Sequence, residues 1–255
     1  MTSAGMVFVV GVGPGERALL TPQAAQAIHS AEVVIGYTGY FAWVEDLVQG
    51  KECLALPLGQ EMERARLALD HARRGRRVAV ISSGDAGIYG MASAVLEMLE
   101  SIEESVRPEI VVAPGVSALN GAAAILGAPL GHDFAAVSLS DLLTPWRIIE
   151  KRLAAVAEAD FVLALFNPKS QRRDWQLARA REILLTHRLG ATPVGIVHNA
   201  SRPGQSVRLT TLQGMSVAEI DMFSIVIVGN STSRFVGNFL LTPRGYEMSK
   251  AVEKP

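Results

Sequence analysis

Residues 7–16 read VFVVGVGPGE, an apolar run followed by a glycine-rich turn. The run Val7–Val12 is typical of a strand that is buried on both faces of a sheet. Shortly after the turn, Thr21 and Pro22 have the pattern of a helix N-cap and a first helical residue, which predicts a helix to about Ser30. This order predicts a parallel βαβ unit, in which ligands bind at the carboxyl ends of the strands.

The same order of strands and helices continues through the first half of the chain. Apolar runs predict further strands at Val33–Gly36, Cys53–Leu56, Val78–Ser82 and Ile110–Ala113. Helices are predicted over Met91–Leu99 and over Met62–Arg74, whose apolar face carries Met62, Ala65, Leu69 and Ala72. The first half therefore predicts a mostly parallel sheet.

The second half predicts a mixed sheet. The strands are expected at Phe134–Leu139, Phe161–Phe166, Pro193–His198, Val207–Thr211 and Ser224–Val228, and the helices at Trp146–Ala157 and Asp174–Thr186. The last strands are closely spaced, which favours antiparallel pairs. Because the charge balance changes sign near residues 116–120, we predict two α/β domains, residues 1–118 and 119–255.

Composition excludes several classes of protein. The chain is 49% hydrophobic and only 19% charged, which excludes a disordered protein. Its single cysteine, Cys53, cannot form an internal disulfide, and we expect a cytoplasmic protein. The start of the chain lacks the basic region of a signal peptide. The longest uncharged run, Ile110–His132, is broken by proline and glycine, so we expect no membrane span, and we also expect no metal site.

Charge is distributed unevenly along the chain. Residues 1–118 hold nine basic and 14 acidic residues, whereas residues 119–255 hold 15 basic and 11 acidic residues. Most basic residues are arginines, whose planar forks match carboxylates, so the second half fits a polyanionic small molecule. The alternative is that these charges only face solvent. The pI of about 6.5 and the lack of a basic run with interleaved aromatics argue against nucleic acid.

Three turns follow predicted strands of the first half: GVGPGE (residues 11–16), SSGDAGIYG (residues 82–90) and APGVSALNGAAA (residues 113–124). Glu16 stands where a dinucleotide-binding turn needs glycine, and Pro14 lacks an amide for a phosphate. The turns therefore favour an uncharged or cationic ligand. Asp85 is a candidate ligand contact, or alternatively a helix N-cap, and a helix beginning near Ser117 offers free amides to a ligand carboxylate.

These turns, together with FNPKS (residues 166–170) and VHNASRPGQ (residues 197–205), resemble the motifs of the tetrapyrrole methylases. The resemblance implies an S-adenosylmethionine-dependent enzyme with two α/β domains, a cofactor cleft between them and a homodimeric state. SLSDLLTPW (residues 138–146), GNSTS (residues 229–233) and LTPRGY (residues 241–246) most resemble the members that methylate carbon 17 of precorrin-3B and contract its ring in cobalamin synthesis.

The resemblance also implies which residues bind the cofactor. They are Pro14, Ser83, Gly84, Asp85, Ile88, Tyr89, Ser117, Ala118, Phe166, Asn167, Ala200 and Ser224. The sequence departs from the family pattern at three positions. Ser83 replaces a common glycine, Phe166 a common methionine and Phe223 a frequent proline.

Methyl transfer from a sulfonium to an electron-rich carbon needs orientation and no protein nucleophile. The resemblance implies that contraction begins when a hydroxyl on ring carbon 20 loses its proton, which requires a base. Asp141 and His132 are the catalytic candidates, since an Asp–His pair holds one imidazole tautomer, and His198 is a further candidate. A structural role is the alternative for each.

The acid groups of the substrate are expected to bind Arg202, Arg234 and Arg244, and Lys169 and Arg172 lie in neighbouring loops. Trp146 and Trp175 are candidates for packing on the macrocycle or in the core. Two other functions remain open: a methylase acting on carbon 11 or carbon 20 of a precorrin or on the cobalt series, and a non-catalytic tetrapyrrole binder.

Overall fold

The computed structural model describes residues 5–170 and 173–246. The chain forms two compact units, which divide between Ala118 and Leu119. Within the described residues, no helix is both long enough and apolar enough to cross a membrane.

The first unit is built on a five-stranded parallel sheet. Its strands are β1 (Met6–Gly11), β2 (Val33–Tyr37), β3 (Glu52–Leu56), β4 (Arg77–Ser82) and β5 (Glu109–Ala113), in the order β3-β2-β4-β1-β5. Its helices are α1 (Pro22–Ser30), α2 (Glu45–Val48), α3 (Glu61–Arg73) and α4 (Met91–Glu100). The predicted parallel sheet is confirmed, and it places the turns after β1, β4 and β5 side by side.

Local sequence explains why these elements form. The Thr21 hydroxyl accepts a hydrogen bond from the Ala24 amide at 3.1 Å, which caps α1 at the predicted residue. Strand β1 is buried on both faces: Val7 and Val9 contribute to one core cluster and Val10 to another. The apolar face predicted for α3 is wrong at one position, because Met62 lies in the first turn of the helix and is 49% exposed.

The second unit contains a five-stranded mixed sheet and a small third sheet. The mixed sheet has β7 (Phe134–Ser138), β8 (Val162–Phe166), β9 (Pro193–His198), β10 (Ser206–Thr211) and β11 (Ser224–Val228), in the order β10-β9-β11-β8-β7. The helices are α5 (Ala118–Leu126), α6 (Trp146–Glu158) and α7 (Gln176–Leu185). Strands β7 and β8 are parallel and the other neighbours are antiparallel, so the prediction of a mixed sheet is confirmed.

The pairing of these strands defines two edges of the mixed sheet. At one edge β7, β8 and β9 end while β10 and β11 begin, since Ser138 pairs with Phe166 and His198 pairs with both Ser206 and Ser224. We call this the carboxyl edge. At the opposite edge β7, β8 and β9 begin and β11 ends. The two edges are separated by the length of a strand of five residues, roughly 16 Å.

The third sheet was not predicted. It consists of β6 (Gly127–Ala128), β12 (Arg234–Val236) and β13 (Phe239–Leu241), in the order β12-β13-β6. These strands have two or three residues each, which is too short for an alternating pattern to be recognised. Strands β12 and β13 form a hairpin, and three of its apolar side chains are exposed: Phe235, Val236 and Phe239.

Candidate functional site

The three glycine-rich turns of the first unit meet at the carboxyl ends of β1, β4 and β5. The Gly13 amide donates to the Gly84 carbonyl at 3.0 Å, and the Gly84 amide donates back to the Gly13 carbonyl at 2.7 Å. The turn after β5 joins them because the Gly115 amide donates to Oδ2 of Asp85 at 2.9 Å. The turns that the sequence singled out therefore form one cluster of loops.

Glycine is required where these backbones approach one another. A Cβ atom on Gly11 would lie 2.6 Å from the Gly84 carbonyl oxygen and 2.8 Å from the Gly115 nitrogen. A Cβ atom on Gly115 would lie 2.6 Å from the Gly11 carbonyl oxygen. Any side chain at these positions would push the loops apart.

Asp85 joins two of these loops through its carboxylate. Its Oδ1 accepts the Gly87 amide at 2.8 Å, and its Oδ2 accepts the Gly115 amide at 2.9 Å. The alternative role as a helix N-cap is wrong, because α4 begins at Met91 with Gly90 as its N-cap. A carboxylate oxygen can accept two hydrogen bonds, so each oxygen retains the capacity to accept one from a ligand.

The other predicted cofactor residues of the first unit lie on the same loops. Gly84 has a φ of +66°, and a Cβ atom there would lie 3.6 Å from Cα of Ser117 and 3.5 Å from the Ala118 nitrogen. Pro14 belongs to the first turn. Ser117 is buried, whereas the side chains of Ile88 and Tyr89 are 41% and 56% exposed. All eight predicted residues of this unit are therefore brought together.

Tyr40 also belongs to this cluster, although it was not among the predicted site residues. Ser83 Oγ donates to the Tyr40 hydroxyl at 3.0 Å. Tyr40 also packs against Tyr37 and Trp43, with ring centroids 5.1 Å apart in each pair. The run YTGYFAW (residues 37–43) is rich in aromatic residues. The contact between Tyr40 and Ser83 could not be predicted from it, because the two residues are 43 positions apart.

In the second unit, the remaining predicted cofactor residues share the carboxyl edge. Phe166 ends β8, and Ser224 begins β11. Asn167 adopts a φ of +51°, and its Nδ2 donates to Ser138 Oγ at 2.9 Å. Ala200 follows β9 by two residues and is buried. The mixed sheet thus collects these four residues at one edge.

The predicted pair of Asp141 and His132 does not form. Asp141 follows β7 at the carboxyl edge, where its Oδ2 accepts Nε2 of Gln176 at 2.9 Å. His132 precedes β7 at the opposite edge, where its Nδ1 accepts the Asp133 amide at 2.9 Å. The length of β7 keeps the two side chains apart, so they cannot hold one imidazole tautomer together.

The predicted substrate arginines are divided in the same way. Arg202 lies in the loop after β9 at the carboxyl edge. Arg234 begins β12 of the third sheet. Arg244 lines a cavity of about 370 Å³ at the opposite edge, together with His132 and Asp160. Arg172 lies outside the described residues, and the other three arginines do not share one edge.

A buried arginine at the carboxyl edge was not predicted. The side chain of Arg173 is 8% exposed, and its Nη1 donates to Ser140 Oγ at 3.3 Å. Its Nε has no hydrogen-bond partner among the described residues. Burial lowers the pKa of Arg173, while the nearby carboxylate of Asp141 raises it in part. The guanidinium of Arg173 is therefore a buried cation near Asp141, and its Nε–H is available to donate a hydrogen bond to a ligand.

His198 is a candidate base from the sequence, and the structure gives it a partner, Asp221, that was not predicted. His198 Nε2 lies 3.0 Å from Oδ2 of Asp221, which is an ion pair when the imidazole is protonated. The other oxygen of Asp221 accepts the Phe223 amide at 3.0 Å and the Ser224 hydroxyl at 2.9 Å. Asp221 lies 23 positions from His198 along the chain, and only the pairing of β9 with β11 brings the two together.

Trp146 and Trp175 contact each other edge to face, with ring centroids 4.9 Å apart. Trp146 packs against the core of the second unit, whereas Trp175 is 48% exposed. No group of three or more His, Cys, Asp or Glu side chains that could hold a metal ion occurs among the described residues.

Comparison with known proteins gives consistent matches over most of the chain. A family model described as Tetrapyrrole (Corrin/Porphyrin) Methylases matches residues 6–216. A probable cobalt-factor III C(17)-methyltransferase from Salmonella typhimurium is 45% identical over 243 residues, covering 95% of this chain and 100% of that protein. A precorrin-3B C(17)-methyltransferase from Sinorhizobium sp is 39% identical over 248 residues, covering 95% of this chain and 97% of that protein.

Solved structures show the same relationship. The methyltransferase CobJ has a TM-score of 0.90 and 40% identity, with 94% of this chain and 100% of that chain covered. A uroporphyrin-III C-methyl transferase from Thermus thermophilus, complexed with S-adenyl homocysteine, has a TM-score of 0.66 and 26% identity, with 88% of this chain and 92% of that chain covered.

Proposed function

The chain belongs to the tetrapyrrole methylase family, and from that premise we propose that it transfers a methyl group from S-adenosylmethionine to carbon 17 of precorrin-3B and contracts the macrocycle to precorrin-4. The observation that carries the proposal is the cluster of three glycine-rich turns around Asp85, in a chain that aligns almost end to end with named C(17)-methyltransferases.

The loops of the first unit fit S-adenosylmethionine. The close approach of Gly11, Gly84 and Gly115 leaves a surface of backbone, which suits a flat uncharged nucleoside. Asp85 offers acceptor capacity to hydroxyl or amino groups, and a carboxylate there disfavours a phosphate. The exposed side chains of Ile88 and Tyr89 offer apolar contact. Phe166, Asn167, Ala200 and Ser224 stay predictions for the same cofactor.

When bound, this cofactor supplies an electrophilic methyl group that needs no protein nucleophile. The work of the protein is then to hold the acceptor carbon in line with the methyl group and to exclude other reactions. Loops joined by backbone hydrogen bonds and by the Asp85 carboxylate suit that role.

The carboxyl edge of the second unit suits a polyanionic tetrapyrrole. Arg173 and Arg202 both lie there, and Lys169 lies in the loop that follows β8. Arg173 is the strongest candidate, because a buried guanidinium with an unpartnered Nε gains most from a carboxylate. Arg234 and Arg244 stay predictions, and they would need parts of the substrate that extend away from this edge.

A second candidate substrate is cobalt-factor III. The Salmonella typhimurium relative is named for that compound and is 45% identical, against 39% for the Sinorhizobium relative named for precorrin-3B. Parallel incubations with the two compounds would separate these candidates. Action at carbon 11 or 20 would give a product without the contracted ring, and a non-catalytic binder would transfer no labelled methyl group.

We also propose that the enzyme is a homodimer that acts in the cytoplasm. The β12–β13 hairpin exposes Phe235, Val236 and Phe239, and β12 is an edge strand. Exposed apolar side chains beside a free strand edge are typical of a surface that another chain covers. The single cysteine is compatible with a reducing compartment.

The experiment that tests the activity is incubation of the purified protein with S-adenosylmethionine and either tetrapyrrole, followed by mass spectrometry and absorption spectroscopy. We expect one added methyl group and the spectrum of a contracted macrocycle. A product that gains a methyl group but keeps the original ring would contradict the proposal.

A further inference from the structure

The reaction proposed above must release one proton. Methyl transfer forms a carbon–carbon bond with an electron pair of the macrocycle, and the cofactor leaves with the electron pair of its broken carbon–sulfur bond, so the macrocycle gains one positive charge. During contraction one ring bond shifts to a neighbouring carbon, and its electrons neutralise that charge. The carbon left behind becomes a carbonyl when its hydroxyl loses its proton. No oxidant is needed, but a base must accept the proton.

His198 has the geometry of such a base. Its Nε2 lies 3.0 Å from the Asp221 carboxylate, which can only accept a hydrogen bond, so the neutral ring carries its proton on Nε2. The lone pair is then on Nδ1, and no described residue forms a hydrogen bond with that atom. The side chain is 32% exposed, so part of the ring faces solvent while the contact with Asp221 orients it.

Asp221 is itself held in place. Its Oδ1 accepts hydrogen bonds from the Phe223 amide at 3.0 Å and the Ser224 hydroxyl at 2.9 Å, which leaves Oδ2 directed at the imidazole. The Phe223 ring packs edge-on against the imidazole, with ring centroids 6.4 Å apart. These contacts fix both the tautomer and the orientation of the base.

The position of the pair within the second unit also fits. His198 ends β9 two residues before Ala200 and pairs with Ser224, and both of those residues are predicted to contact the cofactor. The other predicted bases are less suited. Asp141 accepts a hydrogen bond from the buried amide of Gln176, and His132 lies at the opposite edge of the sheet.

We propose that His198 Nδ1 accepts the proton released during ring contraction, and that Asp221 is the positioning residue that fixes its tautomer. In this step the substrate O–H bond breaks and its electron pair stays on oxygen, an N–H bond forms at Nδ1, and Asp221 stabilises the resulting imidazolium. The inference rests on the proposed methylation and contraction of precorrin-3B, because the hydroxyl of that substrate supplies the proton.

Single-turnover kinetics with precorrin-3B would test this role, with methyl incorporation and contraction followed separately. In His198→Ala we expect methylation near the wild-type rate and contraction slowed by about 10²–10⁴. Added imidazole should restore contraction by about tenfold or more in this variant, because it replaces the lost base. Asp221→Asn should slow contraction without responding to imidazole. His187→Ala, at an exposed position after α7, is the matched control and should behave as wild type.

A second measurement does not depend on turnover. Nitrogen-15 NMR of histidine-labelled protein should show His198 protonated at Nε2, and the resonance should shift when the tetrapyrrole is added without cofactor, whereas that of His187 should not. If His198→Ala is insoluble, His198→Gln keeps an amide that can donate to Asp221 but offers no comparable base.

Three results would overturn the inference: contraction at the wild-type rate in the folded His198 variants, equal loss of methylation and contraction without imidazole rescue, or a His198 resonance protonated at Nδ1. Failure of the wild-type protein to contract precorrin-3B would instead overturn the proposed function, so the two failures are distinguishable.

Discussion

Asp85 accepts the Gly115 amide at 2.9 Å across 30 positions of sequence, and this bond ties the turn after β4 to the turn after β5. The carboxylate that the sequence offered as a ligand contact is thus also a structural tie between two loops. Its replacement should therefore affect both ligand binding and loop position.

Asp85→Ala should weaken S-adenosylmethionine binding. Loss of a hydrogen bond to a charged group is worth roughly 1.5–3 kcal/mol, or about ten- to hundredfold in affinity. Isothermal titration calorimetry of the folded variant measures the effect. Asp70→Ala, on the outer surface of α3 in an ion pair with Arg66, is the control and should bind as wild type. Unchanged affinity in Asp85→Ala would remove this residue from the cofactor site.

Gly115→Ala should lower cofactor affinity by displacing the loops. The new Cβ atom would overlap the carbonyl oxygens of Gly11 and Gly84, and overpacking of this kind costs about 1–3 kcal/mol of stability. Gly59→Ala is the matched control: Gly59 has a φ of +83° and open space around it, so alanine strains the backbone without a clash. A comparable loss of melting temperature in both variants, with loss of cofactor affinity only in Gly115→Ala, would show that the loop cluster forms the cofactor site. Equal cofactor affinities of the two variants would refute this role.

Arg173→Met should raise the KM for the tetrapyrrole by about tenfold while leaving cofactor affinity unchanged, because only the substrate is polyanionic. Since burial already lowers the pKa of Arg173, removal of this charge should not destabilise the fold strongly. Steady-state kinetics and thermal melting check both points. Arg152→Met, on the exposed face of α6, is the control. A large drop in melting temperature with no change in KM would assign Arg173 a structural role.

Phe239→Asp should convert the proposed dimer to a monomer. The side chain is 57% exposed on the β12–β13 hairpin, so an aspartate there is tolerated in a monomer but costly in an apolar interface. Light scattering coupled to size-exclusion chromatography reports the mass. A dimer that persists in this variant, or a wild-type protein that is already monomeric, would contradict the role of the hairpin.

Much of the fold could be predicted because its signals are local. Buried strands such as β9 and β11 agree with the predicted bounds, and Thr21 caps α1 as its position before Pro22 indicated. The third sheet was missed because two- and three-residue strands carry no periodicity. The ligand-binding loops of the first unit could be predicted for the same reason, because each motif is a continuous stretch of sequence.

The pairing of distant side chains could not be predicted in the same way. Asp141 and His132 are close in sequence, yet β7 separates them, whereas His198 and Asp221 are far apart in sequence and are brought together by antiparallel pairing. Arg173 resembled any other arginine, because neither its burial nor its contact with Ser140, 33 positions away, follows from a local pattern. Strand order and register decide such contacts, and neither is written in a local pattern.

A single turnover with carbon-13 methyl-labelled S-adenosylmethionine, carried out with precorrin-3B and with cobalt-factor III, would decide whether this chain is a ring-contracting C-17 methylase. Mass spectrometry would count the transferred methyl groups, and carbon-13 NMR would locate the label. We expect one labelled methyl group on carbon 17 of a contracted macrocycle from at least one of the two substrates. Label on carbon 11 or carbon 20, an uncontracted product, or no transfer to either substrate would contradict it.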